Sequence, residues 1–160
     1  MWIAAIITAV LIAVDQLTKY LALVHLKPIH TTTVIENVLS LTFVENRGVA
    51  FGMFSGKRWL ILLVTLCIVG AIIYYYVHLP KTKEYAWMRG ALILLCAGAF
   101  GNILDRMFRG YVVDFFQITL FSWPVFNVAD IFVVAGVILL AYLMLFVIKD
   151  EPKEKKKRDE

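Results

Sequence analysis

The stretch FNVADIFVVAGVILLAYLMLFVI, residues 126–148, decides the fold because it places a carboxylate directly before a long uncharged apolar run. Ile131–Ile148 is 18 residues without a charge. A helix needs about 20 such residues to cross a bilayer. Of the 160 residues, 61% are hydrophobic, whereas soluble domains are about 45–50% apolar. The composition therefore predicts an integral membrane protein.

Three further apolar runs predict three further spans. Trp59–Val77 and Gly90–Leu104 contain no Asp, Glu, Lys or Arg. The first run begins at Trp2 and includes Asp15 and Lys19, but it lacks the basic start of a signal peptide, so we expect an uncleaved helix. We predict an all-α membrane protein in which residues 1–148 form one domain, with four transmembrane helices at about 2–26, 59–79, 88–108 and 128–148.

The distribution of Lys and Arg predicts the orientation of these helices. Nine lie between the second and third helices or in the tail 149–160, against six in the other two connections. Basic residues favour the cytoplasmic side of a membrane, so both termini and the charged tail are expected inside the cell. The three His and two Cys are scattered without ligand spacing. We expect no metal, no cofactor and no nucleic-acid partner.

The two outer connections differ in pattern. Leu39–Phe43 alternates apolar and polar residues, which is typical of a half-buried strand. Residues 45–48 then predict a turn, and VAFGMFSG at 49–56 predicts a second strand or bulges. Residues 111–126 contain Tyr, Phe and Trp, which favour the headgroup level. We expect a small extracytoplasmic β platform at 39–54 and an interfacial loop at 111–126 that acts as a mobile gate.

Four carboxylates are predicted to share one layer under the outer headgroups. At 1.5 Å per helical residue, Asp105 lies about 24 Å from the inner end of the third helix, and Asp15 about 20 Å from the start of the first. Asp130 begins the fourth helix, and Asp114 lies in the connection before it. Ionisable groups at membrane depth are costly and usually functional.

Most of these groups also have a structural interpretation. Asn127 or Asp130 can cap the fourth helix. Asp15 can pair with Lys19 four residues on, and a structural role is the one we favour for these two. Asp114 lies between apolar neighbours in VVDFF. It has no evident helix end to cap and no adjacent base to pair with, so neither structural role explains it.

The sequence around Asp105 is open to two interpretations. Asp105 can belong to an ion pair, but adjacent residues point apart on a helix, so a direct pair with Arg106 is not expected. Asn102 shares the face of Asp105 and can hydrogen-bond either that carboxylate or a ligand.

Two carboxylates in a poorly hydrated pocket share one proton, because both cannot ionise together. Such a pair suits peptide hydrolysis: the ionised member takes a proton from the attacking water, and the protonated member polarises the carbonyl oxygen. The three serines have no His or Lys at suggestive spacing.

Five motifs carry a resemblance to a known family: DQLTK (15–19), ENRGVAFG (45–52), GNILDR (101–106), VVDFF (112–116) and FNVAD (126–130). In these motifs and their order the chain resembles the lipoprotein signal peptidases (signal peptidase II), four-helix aspartyl peptidases of bacterial inner membranes. The resemblance covers nearly the whole chain. One departure is visible at Val49, where many relatives have Ala.

The resemblance implies a bacterial inner-membrane enzyme with its active site near the outer face. Its substrates are prolipoproteins bearing a diacylglyceryl-cysteine, cut just before that cysteine, and membrane lipid and globomycin-type inhibitors are its other partners. Asp114 and Asp130 match the catalytic pair, and Asp15 and Lys19 match a motif regarded as structural. The supporting and substrate-binding positions are Asn46, Asn102, Asp105, Arg106 and Asn127.

Two other classes of protein remain as alternatives. A proton- or ion-coupled transporter also places acids in the membrane, but its path would extend across the bilayer, whereas these carboxylates lie only in the outer layer. A non-enzymatic scaffold would use small residues such as Ala97 and Gly101 for helix packing. That function would leave Asp114 unexplained.

Overall fold

The computed structural model describes residues 2–49, 53–83 and 85–147, and four helices in this part of the chain are long and apolar enough to cross a membrane. Helix α1 (Trp2–Leu21) continues as a π-helical turn to Leu26. Helix α2 is Arg58–His78, and α3 is Ala86–Phe108. Helix α4 (Val128–Tyr142) continues as a π-helical turn to Val147. The prediction of a four-helix membrane protein is confirmed, with α2 and α3 each beginning one or two residues earlier than expected. The tail 149–160 lies outside the described residues.

Helix α3 is the centre of the bundle. Half of its most apolar stretch is buried, against 17%, 17% and 11% for α1, α2 and α4. The contact with α4 is close because it uses small residues. A Cβ added at Gly98 would overlap the Ala129 carbonyl oxygen, and one added at Gly136 would lie 2.9 Å from the Ala91 carbonyl oxygen. The outer faces of the helices are lined by exposed apolar side chains, as lipid contact requires.

A three-stranded antiparallel sheet, in the order β1-β2-β3, accompanies the bundle. Its strands are β1 (Thr31–Ile35), β2 (Leu39–Asn46) and β3 (Val112–Ile118). The strand predicted at 39–43 is therefore present, and it extends through Asn46, so the turn expected at 45–48 begins only at Arg47. The register places Val44 opposite Asp114.

The partners of β2 differ from the prediction. Residues 53–56 form turns instead of a second strand, and 50–52 lie outside the described residues. The neighbouring strands come instead from TTTVI and VVDFFQI, whose β-branched and aromatic residues favour strands. The interfacial loop predicted at 111–126 is correspondingly shorter, because its first half is β3 and the loop follows at 119–125.

The sheet packs onto the C-terminal end of α1. Buried side chains of the π-helical turn, Ala22 and Leu26, form one apolar cluster with Val113 and Phe115 of β3. Because side chains alternate along a strand, Asp114 points to the opposite face from these two. The packing of its neighbours thus fixes the direction of the Asp114 carboxylate.

Candidate functional site

Asp114 lies in the middle of β3 and is only 2% exposed. Its carboxylate accepts hydrogen bonds from two side-chain amides. The side-chain nitrogen of Asn46, at the end of β2, lies 2.8 Å from Oδ2. The side-chain nitrogen of Asn127 lies 2.6 Å from Oδ1. The buried carboxylate is therefore hydrogen-bonded through both oxygens.

Asp130 lies in the first turn of α4 and forms a capping box with Asn127. Asn127 Oδ1 accepts the backbone N–H of Asp130 at 3.0 Å, and Asp130 Oδ2 accepts the backbone N–H of Asn127 at 3.1 Å. Capping uses only one carboxylate oxygen, and Oδ1 accepts the side-chain amide of Asn102 at 2.8 Å. Asp130 thus caps its helix and still faces the polar layer.

Asn127 joins the two carboxylates, because its amide binds Asp114 while its backbone binds Asp130. Burial and, to a smaller extent, the nearby charge of Asp130 raise the pKa of Asp114, the amide donors of Asn46 and Asn127 partly offset both effects, and the resulting pKa is about 7. Near neutral pH, Asp114 therefore holds a proton for a substantial fraction of the time. This is the arrangement expected of a carboxylate pair that shares one proton.

A second polar cluster lies behind this pair, centred on the fully buried ammonium of Lys19. Its Nζ lies 2.8 Å from Asp15 Oδ2 and 3.2 Å from Asp105 Oδ2. Asp15 Oδ1 also accepts the backbone N–H of Ala129 at 2.9 Å. The predicted pair of Asp15 and Lys19 is present, and it docks α1 against both α3 and α4.

Asp105 pairs with bases other than Arg106, as the helix geometry predicts. It forms a salt bridge with Arg109, one turn further along α3, as well as with Lys19. Its Oδ2 also accepts the backbone N–H of Val113 at 3.0 Å, which ties the strand carrying Asp114 to α3. Asp105 therefore supports the carboxylate pair from behind and does not touch it.

The other two supporting residues on α3 bind across to neighbouring elements. Asn102 does not hydrogen-bond Asp105, the first of its two expected partners, and instead contacts Lys19, Asn127 and Asp130. Arg106 donates to the Gly48 carbonyl oxygen at 2.8 Å, holding the turn after β2 against the bundle.

A cleft of about 350 Å³ opens beside Asp114, between the end of β2 and the segment before α4. Asp114 is one of its lining residues, so a molecule bound in the cleft can contact the carboxylate. Its walls also include Val44, Asn46, Val49, Ser55, Pro124 and Val125.

Several residues of the polar layer are not in the predicted set. Arg109 is detectable from sequence, because it lies four residues after Asp105 and such pairs meet on a helix. Gln16 is not, because its amide contacts the Gly101 carbonyl oxygen at 3.1 Å and its oxygen accepts from Arg109, both on another helix. The cleft residues Ser55 and Pro124 also carry no pattern that marks them.

The described residues, 2–49, 53–83 and 85–147, contain no group of three or more His, Cys, Asp or Glu side chains arranged to hold a metal ion. The carboxylates of Asp15 and Asp105 are bridged by the ammonium of Lys19, which contacts both.

The four spanning helices, with the buried Asp114 and the partly buried Asp130 joined through Asn127, define a polytopic membrane protein with a polar candidate site. The family model for signal peptidase (SPase) II matches residues 7–146, and the chain belongs to this family of peptidases. A lipoprotein signal peptidase of Clostridium acetobutylicum is 45% identical over 155 residues, covering 94% of this chain and 97% of the relative. One of Caldanaerobacter subterraneus subsp. tengcongensis is 43% identical over 143 residues, covering 89% and 96%.

Two solved structures share the fold. A bacterial membrane enzyme determined by the in meso method at 2.3 Å resolution superimposes with a TM-score of 0.83 at 32% identity, covering 100% of this chain and 96% of that one. A second, at 1.9 Å resolution, gives 0.81 at 32% identity, covering 92% and 96%. Family membership makes the protein a peptidase, and the alternative interpretation as a transporter is not supported.

Proposed function

We propose that this protein is an aspartic endopeptidase that removes signal peptides from prolipoproteins whose cysteine carries a diacylglyceryl group, cutting just before that cysteine. Asp114 and Asp130 would be its catalytic pair. The observation that carries the proposal is that one residue, Asn127, hydrogen-bonds both Asp130 and Asp114, and Asp114 lines an open cleft. The names of the relatives support the choice of substrate.

The chemistry needs one proton between the two carboxylates. The ionised member removes a proton from water as its oxygen attacks the carbonyl carbon before the lipidated cysteine, and the protonated member donates to the carbonyl oxygen. The tetrahedral diol then collapses: the carboxyl that took the proton from water donates it to the cysteine nitrogen, the C–N bond breaks, and the other carboxylate takes a proton from a diol hydroxyl, which restores the starting protonation of the pair. The products are the free signal peptide and an amino-terminal lipidated cysteine. The raised pKa of Asp114 supports this scheme at neutral pH.

The polar layer fits a substrate that arrives from within the bilayer. The cleft is walled by β2, β3 and the segments that precede α2 and α4, and apolar side chains such as Val49 and Pro124 line part of it. We infer that diacylglyceryl chains remain in the outer leaflet while the peptide enters beside Asp114. Membrane lipid is then a direct partner, and globomycin-type peptides would compete for the same cleft.

The proposed orientation places both termini in the cytoplasm and the site near the outer face. It rests on the excess of Lys and Arg in the α2–α3 connection and tail. Replacing Cys67 and Cys96 by Ala allows single cysteines to report the side. In intact cells, a membrane-impermeant maleimide should label Phe121→Cys and spare Lys81→Cys. The opposite pattern would reverse the orientation.

The substrate is tested with purified protein and two forms of one prolipoprotein, with and without the diacylglyceryl group. We expect cleavage of the modified form only, with a product whose mass corresponds to an amino-terminal lipidated cysteine. Equal cleavage of the unmodified precursor would refute lipid dependence. Cleavage at another bond would refute the assigned cut site.

A further inference from the structure

Lys19 is a fully buried ammonium whose contacts exceed what charge balance requires. Asp15 and Asp105 supply two carboxylates for one cation. The third contact is of another kind, because Nζ also lies 2.9 Å from Oδ1 of Asn102. Asn102 in turn is the side chain that reaches Asp130.

The chemistry of this contact fixes the direction of the Asn102 amide. An ammonium group only donates hydrogen bonds, so the oxygen of Asn102 must face Lys19 and its nitrogen must face the other way. That nitrogen lies 2.8 Å from Asp130 Oδ1. Asn127 also donates to Asn102 Oδ1, but at 3.2 Å, and its shorter bond of 2.6 Å goes to Asp114. Lys19 is therefore the stronger determinant of the orientation of the Asn102 amide.

Reversal of the amide would change what Asp130 meets. The oxygen of Asn102 would then face Oδ1 of Asp130, and two acceptors in contact repel unless one carries a proton. An ionised Asp130 would turn away from this position or take up a proton. Either change would remove a correctly placed base without altering the substrate cleft.

We propose that Lys19 is a positioning residue for Asp130, acting through Asn102, in addition to holding the helices together. The inference rests on the proposed function of Asp130 as a member of the catalytic pair. It assigns a role in the reaction to a lysine that lies in none of the walls of the cleft. A purely structural Lys19 would stabilise the protein by its ion pairs alone, and its loss would then be independent of Asn102.

A double-mutant cycle separates the two roles. We expect Lys19→Met and Asn102→Ala each to lower kcat at least tenfold with KM changed less than twofold. The kcat of the double variant should be no more than twofold below that of the less active single variant, because both substitutions break the same chain of contacts. Independent, multiplying losses would overturn the proposal. Met88→Ala, a cavity at the inner end of α3, is the control for lowered stability, and it should keep kcat within twofold when assayed below its Tm.

Lys19→Met leaves the buried carboxylate of Asp15 without its cation and Asp105 with Arg109 alone, and such a variant can fail to fold. A second comparison avoids this problem. Asp15→Asn and Asp15→Asn/Lys19→Met differ only at position 19. The double variant removes both charges of the Asp15–Lys19 ion pair, so it leaves no unpaired carboxylate at position 15. A tenfold lower kcat in the second supports the proposal, and equal kcat values overturn it.

The same assay includes Asp130→Asn, so that the two proposals fail in different ways. An active Asp130→Asn variant would refute the proposed catalytic pair, whatever the double-mutant cycle gives. If Asp130→Asn is inactive but the losses at Lys19 and Asn102 multiply, only the proposed positioning role of Lys19 is refuted.

Discussion

The side-chain amide of Asn127 lies 2.6 Å from Asp114 Oδ1, which links the cap of α4 to the middle of β3. The same side chain caps the helix through its oxygen. The start of α4 is therefore held in one position relative to the strand, and the two carboxylates are presented together.

The two roles of Asn127 can be separated by substitution. Serine is as good a helix cap as asparagine but has no amide to reach Asp114. Asn127→Ser should keep the Tm within a few degrees of wild type while lowering kcat at least tenfold. Asn127→Ala should lower both kcat and the Tm, since loss of a cap costs about 1 kcal/mol. An Asn127→Ser enzyme with wild-type kcat would show that the contact with Asp114 is dispensable.

The raised pKa of Asp114 predicts a pH-dependent stability. Its carboxyl has a pKa of about 7 in the folded protein, against an ordinary 3.8, so the folded state holds this proton more tightly than the unfolded state. The contribution is complete below pH 4 and is lost as the pH rises towards 7. Asp114→Asn cannot ionise. Its Tm relative to wild type should therefore increase between pH 4 and 7 and level off above.

The size of this effect follows from the same values. One unit of pKa corresponds to about 1.4 kcal/mol, so the relative stability of Asp114→Asn should change by up to about 4 kcal/mol across this range. Thermal unfolding in detergent from pH 4 to 8 measures it. A Tm difference that is constant with pH would contradict the raised pKa.

Asp105 should matter more for stability than for chemistry. It holds Lys19, Arg109 and the backbone of Val113 but hydrogen-bonds neither member of the proposed catalytic pair. Breaking a buried ion pair from one side costs about 3–5 kcal/mol. Asp105→Asn should therefore lower the Tm markedly and keep measurable cleavage below that temperature. Complete loss of cleavage in a stably folded Asp105→Asn variant would place this residue in the reaction itself.

The close contact of α3 and α4 should be sensitive to a single methyl group. At Gly98 a Cβ would overlap the Ala129 carbonyl oxygen, next to Asp130. Gly98→Ala should destabilise the protein by about 1–3 kcal/mol. Gly70→Ala is the matched control, because nothing lies within 4 Å of its Cβ position. Alanine favours a helix over glycine, so this control should hold or raise the Tm. Equal effects at both positions would contradict the packing.

The sequence predicts local features of this protein well and contacts between distant elements poorly. The four spans follow from apolar runs such as Ile131–Ile148, and β2 follows from the alternation in Leu39–Phe43. The pairing of β2 with β3 does not, because β3 lies some 70 residues further along and pairing of that kind leaves no local pattern. The sequence places VVDFF in an interfacial loop, and only its pairing with β2 shows that it is a strand.

The site shows the same division. The i,i+4 spacing of Asp15 and Lys19 is enough to predict their ion pair. The partner of Asn102 depends on which helices pack around α3, so the sequence permits Asp105 or a ligand, whereas the structure shows Asp130. The family resemblance brings Asp114 and Asp130 together before any geometry is known, but it does not show that Asn127 joins them.

The most direct test of the proposed catalytic pair is cleavage of a diacylglyceryl-modified prolipoprotein by wild type, Asp114→Asn, Asp130→Asn and Asp105→Asn, each at a fixed interval below its own Tm. We predict that the first two variants lose cleavage by at least a thousandfold while Asp105→Asn retains a measurable rate. A folded Asp114→Asn or Asp130→Asn enzyme that still cuts at a rate near wild type would contradict the account.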